Sequence, residues 1–182
     1  MLILKPEYFA KLIVGAIYSD PHWLEQAKTE MCELNWNIQR QSEEFAFDQT
    51  EYYAAEMGSN LKRCFLSVEG LMTLESAFNW KLKLVEIEKR LSKSGKRRIN
   101  LDPGYLDLHR VVLLSGKEGA QKIYLRNGVW ADLVLLKDKG GYRDLPWTFP
   151  DLRNGRYNDF FMQVRAELKA EKNLSNSTMN TK

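Results

Sequence analysis

Apolar positions change rhythm several times along this chain, and each change marks an element. Leu12 to Tyr18 is an almost unbroken apolar run, the pattern of a buried strand. Asp20 and Pro21 then supply a helix N-cap and a first-turn proline. Trp23, Leu24, Ala27, Met31 and Leu34 follow on one helical face, with Asn35 as the stop. From Trp36 to Asp48 the alternation of Trp36, Ile38 and Arg40, then Phe45 and Phe47, predicts a strand with a bend. Residues 49–58, which include Tyr52, Tyr53 and Glu56, predict a loop or one to two helical turns ended by Gly58. Leu61 to Val68 returns to strand. The longest helix is expected from Gly70 to Ser92, with Leu71, Leu74, Phe78, Leu82 and Val85 inward. Trp80, Leu84 and Ile87 widen that stripe.

The second half forms sheet. Ile99 to Leu101 predicts a short strand, and Asp102-Pro103-Gly104 has the residues of a type II turn: Pro presets φ and Gly supplies a positive φ. Val111 to Leu114 predicts a strand and residues 115–119 a loop. Asn127-Gly128, between Ile123–Arg126 and Val129–Leu136, is a strong hairpin signal. Ile123, Leu125, Val129, Ala131, Leu133 and Leu135 then share one face, while Asp132 lies on the less apolar one with Trp130. The stretch Leu145-Pro146-Trp147-Thr148-Phe149-Pro150-Asp151 leads into a helix near residues 155–170, with Tyr157, Phe160, Phe161, Val164 and Leu168 inward. Composition predicts a disordered tail over 173–182. The expectation is one α+β domain over residues 1–172. It has a largely antiparallel or mixed sheet with three main helices packed against it.

Composition trims the choices of function. A chain of 182 residues, 44% hydrophobic, suits one domain with a closed core. A net charge of +3 is too mild to imply nucleic acid. No apolar run approaches the roughly 18 residues of a membrane span. Residues 1–11 lack the layout of a signal peptide. A cytoplasmic protein is expected, with Cys32 and Cys64 as small buried thiols rather than a disulfide framework, a bridge between them being left open. No sequence signal names a cofactor or an oligomeric state.

Candidate chemistry is sparse. His22 and His109 stand far apart with no His or Cys at ligand spacing, so no metal site is expected. His22 reads as solvated and His109 as a satisfied core or sheet residue. Ser115-Gly116-Lys117 follows an apolar strand, but a phosphate loop needs Gly where Val111 stands. Backbone amides around Gly116 and Gly119, with Lys117, remain able to hold a phosphate. The basic run Lys89 to Arg98 reads either as a solvated helix end or as a contact for phosphate backbone. Better candidates border the Asp102 turn. Asp102 and Glu56 have the chemistry of acid, base or hydroxyl-binding groups. Arg63 and Lys117 suit anionic charge, Asn100 suits polar ligand atoms, and Tyr105 and Trp147 suit pocket walls. The bland alternative has Asp102 capping its turn and Asp132 solvated. Two function classes follow. One is a binding or catalytic site for a small anionic or phosphorylated ligand, nucleotides included. The other is a non-enzymatic protein- or RNA-interaction module using the Lys89–Arg98 edge.

Four stretches together resemble a known family. They are Phe47 to Gly58 with Thr50, Tyr52, Tyr53 and Glu56; Asn100 to Leu106 with Asp102-Pro103-Gly104-Tyr105; the Ile123 to Ala131 hairpin; and Leu145 to Asp151. The family is an uncharacterised bacterial domain of unknown function marked by a DPGY motif, and its members are sometimes labelled GTP-binding proteins. The resemblance covers most of residues 12–168 and implies a cytoplasmic single-domain protein with no established activity. This chain has no guanine-reading Asn-Lys-x-Asp. It carries Lys122 where members often have His or Arg.

Overall fold

A computed structural model describes residues 7–48 and 53–179; the expectations placed on Tyr52 and on residues 1–6 lie outside the described residues. In chain order the elements are β1 (Phe9–Tyr18), α1 (Pro21–Glu33), β2 (Ile38–Gln41), β3 (Phe45–Ala46), α2 (Ala54–Met57), β4 (Lys62–Val68) and β5 (Met72–Thr73). Then come α3 (Ala77–Arg90), β6 (Ile99–Leu106), β7 (Arg110–Ser115), β8 (Ile123–Arg126), β9 (Val129–Asp138), β10 (Gly141–Asp144) and α4 (Asn158–Met179). The strands form one sheet in the order β10-β9-β7-β6-β1-β4-β2, with β3 on β4, β5 on β1 and β8 on β9. Its pairings are antiparallel. This is an α+β fold with α1, α3 and α4 as its main helices. No described helix is long and apolar enough to cross a membrane.

β1 lies at the centre, between β4 and β6. Its Leu12, Val14, Ala16 and Tyr18 pack with Leu24, Ala27 and Met31 of α1 and with Trp80, Leu84 and Ile87 of α3. Ile13, on the other face, joins Phe65 of β4 and Phe160, Phe161, Val164 and Leu168 of α4. A strand covered on both faces needs apolar residues at successive positions, hence the unbroken run. On the α4 side, Phe65 meets Tyr157 and Phe161 edge-on at centroid distances of 4.9 and 5.2 Å, a favoured aromatic geometry. The Asp20 cap holds as expected: its side chain accepts from the His22 amide at 2.9 Å.

The largest departure concerns Asp102-Pro103-Gly104. It is no turn but the middle of β6, which pairs with β1 along its whole length. Gly104 has no positive φ. A Cβ there would collide with the Val112 carbonyl oxygen, so glycine serves the close approach of β7. Pairing of β6 with β7 covers only Gly104 to Leu106. Pro103, with no N–H for a ladder, marks the point where the two strands part.

Other departures share a cause: tertiary contacts outweigh local pattern. The third helix starts at Ala77, because Gly70 takes a φ of +75° and Met72–Thr73 pair with β1. Its buried face is Trp80, Lys81, Leu84, Ile87 and Glu88, and Leu82 is exposed. Apolar spacing picked the wrong stripe because two charged residues occupy inward positions. α4 is the longest described helix and runs through 173–179, where composition predicts a tail. In the hairpin, Asn127 and Gly128 have φ of 52° and 76°, as a type I′ turn requires. Yet Ile123, Tyr124 and Leu125 are exposed. A bulge places Val111 opposite Leu135 but Val112 opposite Leu133, which turns Asp132 and Val134 inward. His109 and Cys32 are exposed rather than buried, and both cysteines are free.

Candidate functional site

Where β6 and β7 part, a cleft of about 670 Å³ opens. β7 continues beside β9 to Ser115, so the gap lies between Asn100–Asp102 and the residues around Leu114–Ser115. The backbone of Leu101 has no β7 partner, and α3 supplies one. Its N–H donates to Glu88 Oε1 at 2.6 Å, and its carbonyl accepts from Lys81 Nζ at 2.9 Å. Two charged side chains thus stand in for a missing strand, satisfying backbone groups that would otherwise be buried unpaired.

From this frame the cleft's charges are built outward. Lys81 Nζ also donates to Asp102 Oδ1 at 2.9 Å, and Asn100 Nδ2 donates to Asp102 Oδ2 at 2.7 Å. Burial pushes the Asp102 carboxyl up, but Lys81, Arg63 and Asn100 outweigh it and hold its pKa below the ordinary value. For Glu88 burial wins, and its pKa is raised despite Lys81. Arg97 is held as a fork: Nε and Nη2 donate to Glu56 at 3.0 and 2.7 Å, and Nη1 donates to Asn100 Oδ1 at 3.0 Å. The hydrogen bond from Arg97 lowers the Glu56 pKa.

Arg63 is buried, with Nη1 donating to Asp151 Oδ2 at 2.6 Å. Its guanidinium lies 5.0 and 5.9 Å from the ring centroids of Phe65 and Phe47. Its Nε has no hydrogen-bond partner. Arg97 and Lys117 both approach the Tyr53 ring, at 5.7 and 5.9 Å. Lys122 Nζ ties the loop after β7, donating to Ser115 Oγ at 3.2 Å and Lys117 O at 3.1 Å. It lies 3.7 Å from Asp132 Oδ2. Asp132 is 2% exposed, and its Oδ1 has no partner. Burial raises its pKa, against the pull of Lys122 and Gln121.

The profile of a domain of unknown function, DUF4416, matches residues 8–168. The chain belongs to this family. No curated protein and no solved structure matches it. The DUF4416 match contains every cleft residue named above.

In this DUF4416 chain the cleft gathers Asp102, Asn100, Arg63 and Lys117, four of the residues that the sequence singles out. Glu56 adjoins it through Arg97, as the group that orients a cation. Tyr105 and Trp147 are not brought to the cleft. Tyr105 points to the face of β6 opposite Asp102 and packs toward the α1–α3 core. Trp147 is 42% exposed and donates its indole N–H to Leu133 O at 2.7 Å. The aromatic walls are Phe47, Tyr53 and Phe149 instead. The sequence alone gives no site reading for Lys81, Glu88, Lys122 or Asp151; it places Arg97 only within the basic run and leaves Asp132 between site and solvent. A signal existed for two of them: Lys81 and Glu88 fall on the α3 face of Leu84 and Ile87, where charge is out of place. Among the described residues no group of three or more His, Cys, Asp or Glu is placed to hold a metal ion.

Proposed function

We propose that the cleft binds a small anionic molecule, carboxylated or phosphorylated. The observation that carries this is Arg63: a buried guanidinium on the cleft wall with an unmatched N–H. An unpaired buried donor costs roughly 1–3 kcal/mol. Native proteins rarely keep one without an ion, water or ligand to match it. An anion at Arg63 enters a cleft that Arg97, Lys117 and Lys122 also line. Arg97 is already oriented by Glu56, which lowers the ordering cost of binding. The volume is in the range of small-molecule sites.

The alternative, a basic edge for protein or RNA, has less support. The Lys89–Arg98 run is divided: Arg97 turns into the cleft, Lys89 pairs with Glu86 at 2.7 Å, and Arg90 pairs with Glu30 at 2.7 Å. A bacterial cytoplasmic setting, in which the thiols of Cys32 and Cys64 stay reduced, completes the proposal.

The test is a thermal-shift titration with inorganic phosphate, simple alkyl and sugar phosphates, dicarboxylates and GTP. Saturable binding at 100 times Kd adds about 2.7 kcal/mol to stability. Arg97→Met should weaken every anion that binds. No shift with any anion would retire the proposal. A shift with GTP alone would narrow the ligand to a nucleotide.

A further inference from the structure

We infer that the cleft's ligand is bipolar, carrying a hydrogen-bond donor, a hydroxyl or an amine, in addition to its anionic group, with Asp132 as the acceptor of that donor. The inference rests on the anion-binding proposal for the same cleft and adds the ligand's second functional group. The carboxylates that line the cleft are not held alike. Asp151 accepts from Arg63 at 2.6 Å, Glu88 from the Leu101 amide at 2.6 Å, and Asp102 from Asn100 and Lys81 at 2.7 and 2.9 Å. Asp132 has only long contacts, 3.4 Å from Gln121 Nε2 and 3.7 Å from Lys122 Nζ, both at Oδ2. Its Oδ1 is shielded and unmatched.

Arg63 and Asp132 both line one cleft, and each keeps a shielded polar atom with the opposite need, within a side-chain rotation of the cleft. Arg63 Nε is a donor without an acceptor, and Asp132 Oδ1 is an acceptor without a donor. A plain anion satisfies the first and does nothing for the second. A molecule with an anionic group and a donor satisfies both. The ligand class is a phosphorylated polyol or amine, or a hydroxy or amino acid. Lys122, bound to the Ser115–Lys117 loop and close to Asp132, sets the position of the loop beside that acceptor. Asp132 is thus a specificity residue, acting on the ligand's neutral or cationic group, while the arginines act on its charge.

The experiment is calorimetric titration of the full chain with matched pairs of probes. Glycerol 3-phosphate is compared with propyl phosphate, and phosphoethanolamine with ethyl phosphate. Each pair differs in its donors and shares its anion. The expected result is that one donor-bearing member binds about tenfold tighter or more than its partner, the scale of a hydrogen bond to a charged group. Asp132→Asn should shrink that ratio to within about twofold while alkyl phosphate affinity is kept or improved. Equal affinities within both pairs for the wild-type chain overturn the bipolar ligand and leave anion binding standing. No binding of any probe, inorganic phosphate included, overturns both. A preserved ratio in Asp132→Asn removes Asp132 as the acceptor and overturns the assignment. If that variant does not fold, Asp132→Leu, close in volume and without an acceptor, takes its place under the same criterion.

Discussion

The α4 face and the cleft lie in one sheet and are buried by opposite means. Against α4 the sheet buries rings and aliphatic groups: Phe65, Tyr157, Phe160, Phe161, Val164 and Leu168. In the cleft it buries or half-buries ions: Arg63 with Asp151, Lys81 with Asp102, and Arg97 with Glu56. Apolar burial is worth about 25 cal/mol per Å². Buried ion pairs are often no better for stability than apolar residues of the same volume, because desolvation offsets attraction. The α4 side therefore holds the fold, and the cleft side carries charges whose value lies elsewhere. Lys81 and Glu88 complete the backbone pairing of Leu101, a structural duty. Arg63 Nε and Asp132 Oδ1 have no such duty, and the ligand we propose rests on them.

The comparison breaks most visibly on the α4 side. Phe161→Ala should cost about 3–5 kcal/mol in urea unfolding, from lost transfer energy and a cavity. Anion affinity of the folded fraction should be unchanged. A parallel loss of affinity would show that the two regions are one cooperative unit.

Lys81→Met is next. It removes the shared cation of a buried network: the Leu101 carbonyl loses its side-chain donor, and Asp102 and Glu88 keep only Asn100 and the Leu101 amide as hydrogen-bond donors. The expected loss is about 3 kcal/mol, read from the same unfolding curves. A change below about 1 kcal/mol would mean that water reaches these groups and the cleft is not desolvated.

Gly104→Ala strikes the seam between the regions. The added Cβ meets the Val112 backbone oxygen, so β7 must move. About 2 kcal/mol of lost stability is expected, seen as a lower melting temperature. A neutral result would show that β7 yields easily at the point where it leaves β6.

The smallest effect is a pair of opposed pH slopes. Asp102 has a lowered folded pKa, so its contribution is present above the unfolded value and lost as pH falls through the folded one. Asp132 has a raised folded pKa, so its contribution is present below the unfolded value, about 4, and lost as pH rises through the folded one. The stability of wild type minus Asp102→Asn should fall toward acid. Wild type minus Asp132→Asn should fall toward neutrality. Slopes of the same sign in chemical denaturation from pH 3 to 8 would show that the two carboxylates share one environment.

Much of the scaffold is legible from one end of the chain to the other. The Asp20–Pro21 helix start and the Asn127-Gly128 turn rest on interactions within a few residues, and the β1 run and the Tyr157–Leu168 stripe show in the spacing of apolar positions. The candidate site is legible only in part. Asn100, Asp102, Arg63 and Lys117 are polar residues near strand ends or within strands, and the fold brings them together. Tyr105 falls on the other face of β6, and Trp147, in the turn after β10, is held by the Leu133 carbonyl; the residues beside each in the chain set neither placement. Lys81 carries no site reading along the chain, Arg97 reads only as part of a basic run, and Asp132 stays open between site and solvent, because a charged residue in a helix, in a basic run or on a hairpin normally faces water.

The DPGY stretch shows the division most sharply. Its residue types alone fixed that the chain there needs no N–H at 103 and no side chain at 104. A turn and a close strand crossing make the same two demands. Only the tertiary structure chose the second, because β7 supplies the Val112 oxygen at Gly104 and leaves at Pro103. The same holds for the charges. Arg63 and Asp151 are 88 positions apart, and their mutual desolvation exists only once β4 and the segment before α4 meet. Backbone propensity and capping are local energies and can be read along the chain, whereas burial of charge is set by whatever the fold places next to it.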